Sequence, residues 1–300
     1  MGDVILTTAL IDRMLAVYGN DVAIDVATGM PHVYTGMPHV RTVNPVDLHY
    51  ADYDRVIDLD GAYEANRSVH AIDAYMIVAF GDANWPRKET VLRRDVPRLT
   101  ATVDWRRAIV LHAGIRDRNR SMPRLFWETL VALLLRGGYV PVLVGTSEDH
   151  RWPERLDIVD LCGDYTVQET AWMIAQAACF FSLDTGVGHI AGTTDTPMVT
   201  LFTSVRPQNR MRWRHGVLGW RVTPLVPELD CVGCHSGPCP LGHYGCTEGP
   251  KAVTAETVYA AIVRSVETAH GEAAQGHTAP LAEAAQLTFI GSCDDSGSAA

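Results

Sequence analysis

The chain has 300 residues, a formal net charge of −10, 47% hydrophobic residues and 20% charged residues. This length allows one large or two modest domains, each with its own core. The acidic balance argues against a surface that neutralises phosphate backbones, so nucleic acid is not an expected partner. No apolar run approaches the roughly 20 residues of a transmembrane segment and no signal peptide opens the chain, so a cytoplasmic location is expected.

The first hundred residues mix helical and strand-like patterns. Apolar residues fall on one face of a first helix, namely Leu6, Leu10, Met14 and Val17. Residues 22–27 and 53–59 are typical of strands. Charged residues then interrupt the apolar pattern within residues 86–105, which predicts a domain boundary there. The expected domains are residues 1–100 and residues 101–270.

The second half alternates apolar strands with amphipathic helices. Strands are predicted at 108–112, 139–145 and 158–162, at a run ending at 183, and at 198–202. Helices are predicted over 125–135, 167–178 and 255–269. This alternation is typical of an α/β, doubly wound parallel sheet with helices on both faces. Residues 271–300 are rich in Ala, Gly, Ser and Gln, which predicts a flexible tail.

A buried strand in the second half is followed by a polar turn that contains glycines. Asp184 follows the strand directly, and Thr185 and Gly186 begin the next helix. In open α/β sheets ligands bind at the carboxyl ends of strands. Backbone N–H groups at a helix start attract anions, and glycine lets a ligand approach the backbone, so the turn predicts a phosphate site. The alternative is an N-capped helix start with no ligand.

A second motif is a cluster of four cysteines with the spacing C-x2-C-x4-C-x6-C, at Cys231, Cys234, Cys239 and Cys246. In a chain expected in the cytoplasm, this spacing indicates a tetrahedral thiolate metal site more than disulfides. Thiolates suit a structural Zn or Fe ion, and His235 or His243 could replace one ligand. The alternative is a reduced, thiol-rich loop that holds no metal.

Three separated segments resemble one family. They are Met1 to Leu10 with its Gly-Asp-Val-hydrophobic-Thr pattern, the strand and basic loop from Ile109 through Arg116, Arg120 and Pro123 to Gly145 and Glu148, and the turn from Asp184 to His189 with Pro197 to Phe202. Together they resemble glycosyltransferase family nine, the ADP-heptose:lipopolysaccharide heptosyltransferases and their relatives. The resemblance covers roughly residues 1–250, in the family's order and spacing.

The resemblance implies the GT-B architecture, in which two Rossmann-like doubly wound domains face each other across a cleft. The first would bind the acceptor and the second, residues 101–270 with the Cys-rich loop 231–246, the nucleotide sugar. In the family a strand precedes the Gly-Asp signature, whereas this sequence begins at Met1. The amino-terminal domain is therefore expected to be shortened, or the true start lies upstream.

The implied activity is inverting transfer of a heptose-like sugar to a hydroxyl of a glycan or protein acceptor, as in lipopolysaccharide biosynthesis. The donor would be a nucleoside-diphosphate sugar, with ADP favoured and no catalytic metal. A general base must deprotonate the acceptor, and a positive group must stabilise the leaving diphosphate. The resemblance assigns these roles to Asp3 and Arg120, with Arg116 as a second basic contact. Without the resemblance, Asp3 reads as an N-cap aspartate.

The remaining expected contacts also follow from the resemblance. Gly114 would present a backbone N–H to phosphate, and Glu148 would bind the ribose diol unless it is only a loop glutamate. Asp184 would hold sugar hydroxyls. The diphosphate would lie on the turn residues, namely Thr185, Gly186, Val187 and Gly188. His189 would either contact phosphate or pack in the core.

Two other classes of function are compatible with the same motifs. One is a non-catalytic nucleotide-sugar or glycan-binding GT-B protein with a degraded first domain. The other is a GT-B sugar-nucleotide epimerase, which would turn over donor without an acceptor. The oligomeric state stays open.

Overall fold

The computed structural model describes residues 1–99, 101–114, 117–149, 157–163, 165–235 and 238–275. The first of these ranges contains four helices and two strands among its residues. They are α1 (Gly2–Thr7), α2 (Leu10–Tyr18), β1 (Ile24–Val26), β2 (Val40–Val43), α3 (Ala62–Ala65) and α4 (Ala71–Phe80). Strands β1 and β2 pair in parallel. Residues 81–99 and 101–107 then form neither helix nor strand.

The remaining elements build the larger part of the fold. The strands are β3 (Ala108–His112), β4 (Val140–Leu143), β5 (Val159–Asp160), β6 (Cys179–Leu183), β7 (Met198–Leu201), β8 (Trp213–Arg214), β9 (Val217–Leu218) and β10 (Val222–Leu225). The helices are α5 (Arg124–Arg136), α6 (Val167–Gln176), α7 (Gly186–Gly192), α8 (Pro207–Arg210), α9 (Gly245–Glu248) and α10 (Ala255–Ala274).

Six of these strands form one parallel sheet in the order β10-β7-β6-β3-β4-β5. Counted along this half of the chain, the order is 6-5-4-1-2-3, which is the Rossmann order of a doubly wound sheet. The order reverses between β3 and β6, and ligands bind at that point in such sheets. The predicted α/β class, with a parallel sheet in the second half, is confirmed.

The side chains of β3 point alternately to the two faces of the sheet, and each face is covered by helices. Ile109 and Leu111 point into a core with α5 and α10, while Ala108 and Val110 point into a second core with α6 and α7. Every residue of β3 and of β6 is buried. Continuous apolar strands of this kind are typical of parallel sheets buried on both faces.

The first half has its own helical core, and there the sequence predictions fare less well. Helices α1, α2, α3 and α4 bury a cluster that includes Leu6, Leu10 and Tyr63. The predicted single first helix is two helices, because the chain turns at Thr8, whose hydroxyl accepts a hydrogen bond from the N–H of Val91. The prediction of a strand over 53–59 is wrong, since these residues form no ladder with either described strand of this half.

The carboxyl-terminal helix is longer than its apolar pattern predicts. Helix α10 runs to Ala274, so the first residues of the expected tail are helical. The rest of the tail, from residue 276, lies outside the described residues. Within the part that the structure describes, no helix is both long and apolar enough to cross a membrane.

Candidate active site

A cavity of about 550 Å³ lies at the carboxyl ends of β3 and β6, where the strand order reverses. Both halves of the chain line it. The first half contributes Met1, Gly2, Asp3, Tyr63, Glu64 and Arg67. The second half contributes His112, Gly114, Asp117, Arg120, Thr146, Asp149, Asp184, Thr185, Gly186, Val187, His189, Ser204, Val205, Arg210 and His235.

Asp184 is held by a buried ion pair at the end of β6. Nη2 of Arg212 donates to its Oδ1 at 3.1 Å, and both side chains are about 5% exposed or less. Nε of Arg212 also donates to the carbonyl of Gly188. A Cβ at Gly188 would lie 2.9 Å from Nη2 of Arg212, so glycine is needed here for the guanidinium to reach the turn. The glycine at the end of the Thr185–Gly188 segment thus leaves room for Arg212, which lies 28 residues after Asp184 in the sequence.

His189 lies in the same turn with its ring buried. Its Nε2 is 3.9 Å from Oδ1 of Asp184, and its Nδ1 has no hydrogen-bond partner among the described residues. Burial, followed by the positive charges of Arg212 and Arg210, lowers the pKa of His189 well below its ordinary value. The ring is therefore neutral near pH 7. A Cβ at Gly2 would lie 2.7 Å from its Cδ2, which explains the glycine where α1 packs on α7.

A line of polar side chains crosses the ends of three neighbouring strands. Nδ1 of His112 lies 2.9 Å from Oγ1 of Thr185, and its Nε2 lies 3.7 Å from Oδ2 of Asp149. Asp149 accepts hydrogen bonds from both the N–H and the hydroxyl of Thr146, each at 2.8 Å. Burial raises the pKa of Asp149, but His112 and Thr146 outweigh it and lower the value to about 2.

The loop after β3 brings one arginine to the cavity. Nε of Arg120 donates to Oδ2 of Asp117 at 3.2 Å, and its Nη1 contacts the carbonyl of Asp184 at 3.4 Å. Gly114 begins this loop with φ at +62°, a conformation that favours glycine. Arg118 points elsewhere, because it pairs with Glu248 in α9. Arg120 is therefore the described arginine of this loop that faces the cavity.

Across the cavity, Asp3 is half exposed and forms an ion pair with Arg210 at 2.6 Å. The guanidinium of Arg210 also lies 4.1 Å from the ring centre of Tyr63. Burial opposes the positive charge of Arg210, but Asp3 and Asp184 more than compensate and hold its pKa above the ordinary value. Arg210 thus joins the Asp3 side of the cavity to the Asp184 side.

The Cys-rich loop also reaches the cavity. Nδ1 of His235 lies 3.4 Å from the hydroxyl of Tyr63, and its carbonyl contacts Arg67 at 3.4 Å. Its backbone N–H donates to the carbonyl of Ser204 at 2.7 Å. Burial, followed by Arg67, Arg210 and Arg206, lowers the pKa of His235.

The structure brings most of the sequence-predicted site residues together. Those that line the cavity are Asp3, Gly114, Arg120, Asp184, Thr185, Gly186, Val187 and His189. Gly188 packs beneath the turn against Arg212. Glu148 is exposed and outside the cavity, whereas its neighbour Asp149 is buried and lines it. Arg116 lies outside the described residues.

Several cavity residues have no signal in the sequence that reasoning by motif would find. Tyr63, Arg67 and Arg210 reach the cavity only because distant segments fold together. His235 was singled out only as a possible metal ligand and not as a residue of this cavity. His112 and Asp149 had a usable signal, since each lies at or just after the end of a strand next to β6 or β3. Polar residues at such strand ends are the expected ligand contacts of a doubly wound sheet.

The cysteine loop does not support the predicted metal site. Its four thiols line one small cavity of about 10 Å³, together with Asn119 and Thr203. Yet within the described ranges no three His, Cys, Asp or Glu side chains converge into a group that could hold a metal ion. The loop is held instead by main-chain hydrogen bonds, from Gly233 to Thr203 and from His235 to Ser204.

The fold and the cavity define a class of protein: an α/β protein with a polar ligand site at the switch point of a Rossmann-type sheet. The profile of glycosyltransferase family 9 (heptosyltransferase) matches residues 55–249, and the chain belongs to this family. This confirms the resemblance drawn from the three sequence segments.

Individual relatives agree with the assignment. Lipopolysaccharide heptosyltransferase 1 of Salmonella typhimurium is 30% identical over 105 residues, which spans 33% of this chain and 33% of the relative. Escherichia coli ADP-heptose lps heptosyltransferase II has a TM-score of 0.66 at 15% identity, covering 90% of this chain and 96% of that one. The iron-containing dodecameric glycosyltransferase TibC of enterotoxigenic E. coli has a TM-score of 0.62 at 14% identity, covering 90% and 74%. These solved structures share the fold.

Proposed function

We propose that this protein transfers a sugar from a nucleoside-diphosphate sugar to a hydroxyl acceptor, with inversion at the anomeric carbon. One observation carries the proposal: the carboxylate of Asp3, Arg120 and the Asp184 turn line a single cavity. A base on one side and a diphosphate site on the other are what a direct displacement requires. Membership of the heptosyltransferase family supports the same reaction.

In the proposed reaction the acceptor oxygen attacks the anomeric carbon as its proton passes to Asp3. The bond from that carbon to the diphosphate breaks, and its electron pair leaves with the diphosphate. Arg120 and the hydroxyl of Thr185 would stabilise the charge that develops there. Arg210 holds the Asp3 carboxylate at the cavity through its 2.6 Å ion pair. Asp184, fixed by Arg212, would bind hydroxyls of the donor sugar.

The donor is proposed to be an ADP-linked heptose. Similar folds include the E. coli heptosyltransferase WaaC with ADP and TibC with ADP-D-beta-D-heptose. Asp149 replaces Glu148 as the proposed ribose contact, because only Asp149 lines the cavity. The acceptor, a glycan of lipopolysaccharide type or a protein, would bind against the first half, where Tyr63, Glu64 and Arg67 face the cavity.

The proposed architecture is GT-B, with an acceptor-side domain over residues 1–100 and a donor-side domain over residues 101–270. The donor-side unit is supported by its six-stranded sheet in Rossmann order. On the acceptor side, the described residues hold a two-stranded parallel sheet with four helices, which is the basis for proposing a shortened domain. A cytoplasmic location is proposed with this activity.

Binding of nucleotides tests the donor site. Calorimetric titration with ADP, UDP, GDP and TDP is expected to show selective binding of ADP by the wild type. Arg120→Ala should weaken that binding at least tenfold, because it removes a charge-assisted contact to phosphate of about 1.5–3 kcal/mol. Arg118→Ala is the matched control, since Arg118 belongs to the same loop but pairs with Glu248. Absence of binding to all four nucleotides, or equal losses in both variants, would contradict the proposed donor site.

A further inference from the structure

The polar line from Thr185 through His112 to Asp149 has a property that the proposed displacement does not use. Each imidazole nitrogen of His112 faces one oxygen: Nδ1 faces the Thr185 hydroxyl at 2.9 Å, and Nε2 faces the Asp149 carboxylate at 3.7 Å. The three residues follow or end the neighbouring strands β6, β3 and β4. The proton on Nδ1 therefore decides what the hydroxyl can do.

When His112 is neutral, its single proton belongs on Nε2, where it faces the ionised Asp149. The opposite tautomer would set a nitrogen lone pair against that carboxylate. Nδ1 is then an acceptor, and the Thr185 hydroxyl donates its proton to the ring. In this state Thr185 offers only oxygen lone pairs to a ligand in the cavity. These lone pairs repel the oxygens of an anionic diphosphate.

When His112 is protonated, both of its nitrogens donate. Nδ1–H donates to Thr185, Nε2–H faces Asp149, and the Thr185 hydroxyl is free to donate its own proton into the cavity. A hydrogen bond of this kind is what a diphosphate oxygen requires. Asp149, whose pKa is lowered to about 2, is ionised near pH 7, and its negative charge supports the imidazolium.

We propose that binding of the donor diphosphate is coupled to uptake of one proton by His112, which converts the Thr185 hydroxyl from a donor to the ring into a donor to the diphosphate. The proton comes from solvent and ends on Nδ1 of His112, while Thr185 keeps its own. His112 is thus a positioning residue that acts through Thr185. The inference rests on the proposed donor site and deepens it.

The charges around the cavity favour this coupling. Among the described residues, the charged or titratable groups that line it are Met1 through its amino group, Asp3, Tyr63, Glu64, Arg67, His112, Asp117, Arg120, Asp149, Asp184, His189, Arg210 and His235. Asp117, Asp184 and Asp3 are each compensated by an arginine, at 3.2, 3.1 and 2.6 Å. Within the described ranges, the ion-pair partner of Asp149 is His112. A bound diphosphate adds negative charge next to Thr185, which favours the charged form of His112 further.

The test measures proton uptake directly. Binding of ADP-glucose is followed by calorimetry at pH 7.5 in two buffers with different ionisation enthalpies, and again at pH 5.5. ADP-glucose is used because both of its phosphates are esterified, so the ligand itself does not titrate in this range. The wild type is expected to take up protons on binding at pH 7.5 and fewer at pH 5.5, because a lower pH leaves fewer neutral imidazoles for binding to protonate.

Two variants at the polar line and one control separate this coupling from a structural role. His112→Asn keeps an N–H donor near Thr185 but cannot take up a proton, so uptake is expected to vanish while binding persists. Thr185→Val removes the hydroxyl at nearly constant volume and should lose the uptake as well. His215→Asn is the control, because His215 pairs with Asp195 on the surface, away from the cavity residues; it should bind with wild-type proton uptake.

The outcomes are distinct. Uptake that disappears in His112→Asn and Thr185→Val but not in His215→Asn supports the proposal. Binding without proton uptake, or with equal uptake in the wild type and His112→Asn, overturns it and leaves the donor site standing. If the wild type binds neither ADP-glucose nor ADP, the proposed ADP-sugar donor fails, and the proton coupling fails with it.

Discussion

The two walls of the cavity are built in different ways. On the wall proposed to bind the donor, which we call the donor wall, Asp184, Thr185 and His112 lie at the ends of β3 and β6, strands in which every residue is buried. On the facing side, Tyr63, Glu64 and Arg67 lie on or just after α3, a helix of four residues. The donor wall is thus fixed by a central sheet, whereas the facing wall depends on a few specific contacts with the second half.

Those contacts can be named. The side chain of Asn209 donates to the carbonyls of Arg67 and Val69, each at 3.0 Å, and His70 contacts the carbonyl of Met211 at 2.8 Å. The ion pair between Asp3 and Arg210 adds a charged link at the cavity itself. We expect the wall at the sheet to be the more rigid of the two, because the facing wall is held by a small number of hydrogen bonds.

Removal of the buried carboxylate from the donor wall should have the largest effect. Asp184→Ala leaves Arg212 charged, about 3% exposed and without its carboxylate partner. Breaking one partner of such a pair costs about 3–5 kcal/mol of unfolding free energy. Asp195→Ala, which removes an exposed pair with His215, should cost about 1 kcal/mol or less. Urea unfolding of both variants measures the difference, and equal losses would contradict a donor wall fixed by buried charge.

Acidification should weaken the contact at His70. Burial lowers the pKa of His70 to about 4, and its Nδ1 accepts a hydrogen bond from the N–H of Ile72 at the start of α4. The folded-state pKa lies below the value of about 6.5 in an unfolded chain, so protonation favours unfolding. The stabilisation of the fold by neutral His70 is fully present above about pH 6.5 and is lost as the pH falls toward 4.

Protonation of His70 should therefore lower the free energy of unfolding of the wild type by about 2 kcal/mol between pH 7 and pH 5. His70→Asn keeps an oxygen that can accept from Ile72, and asparagine is a preferred N-cap residue. Urea titrations at the two pH values are expected to show a smaller pH effect in this variant. The same pH effect in both proteins would contradict the role given to His70.

Asn209→Ala should loosen the facing wall with a moderate loss of stability. It removes both hydrogen bonds to the segment that carries Arg67 and leaves two carbonyls without that donor. The expected loss is about 1–3 kcal/mol. Hydrogen exchange should accelerate in residues 63–70 but not in β3 or β6. Asn84→Ala, at an exposed position of the same half, is the control, and loss of protection in β3 would argue against two differently built walls.

The smallest effect is expected at Asp25, in the two-stranded sheet. A hydrogen bond from Arg41 lowers the pKa of Asp25 to about 2, against the opposing effect of burial and with help from Tyr53. Its stabilisation is complete above the unfolded-chain pKa of about 3.9 and is lost as the pH falls toward 2. Because Arg41 is 58% exposed, the contribution should be about 1 kcal/mol or less. The stability difference between wild type and Asp25→Asn should shrink between pH 5 and pH 2.

The same contrast explains how far the sequence could predict this molecule. In the second half, strand β3 has the predicted bounds, and helix α5 extends one residue beyond its prediction at each end. There the burial of both sheet faces makes each strand a continuous apolar run. In the first half the patterns are shorter and tertiary contacts decide the outcome, as at Thr8 and over residues 53–59.

The residues of the cavity likewise divide into those that the sequence indicated and those that only the structure showed. The family resemblance indicated Asp3 and Arg120, and the strand-end pattern indicated the Asp184 turn, because a strand end and the residues after it are adjacent in sequence. Arg210 and Arg212 could not be found this way, since they reach Asp3 and Asp184 across 207 and 28 residues. The choice between Glu148 and Asp149 needed the structure, because a one-residue difference in a short turn decides which side chain enters the cavity.

Turnover of ADP-heptose by the wild type and by Asp3→Asn, each with its donor affinity measured, tests the central claim most directly. Asp12→Asn is the matched control, because Asp12 lies in α2 and pairs with Arg87. We predict that Asp3→Asn retains donor binding but loses at least about 100-fold in release of ADP, the usual contribution of a general base. Equal turnover in wild type and Asp3→Asn, or donor binding without turnover in any of the three proteins, would contradict it.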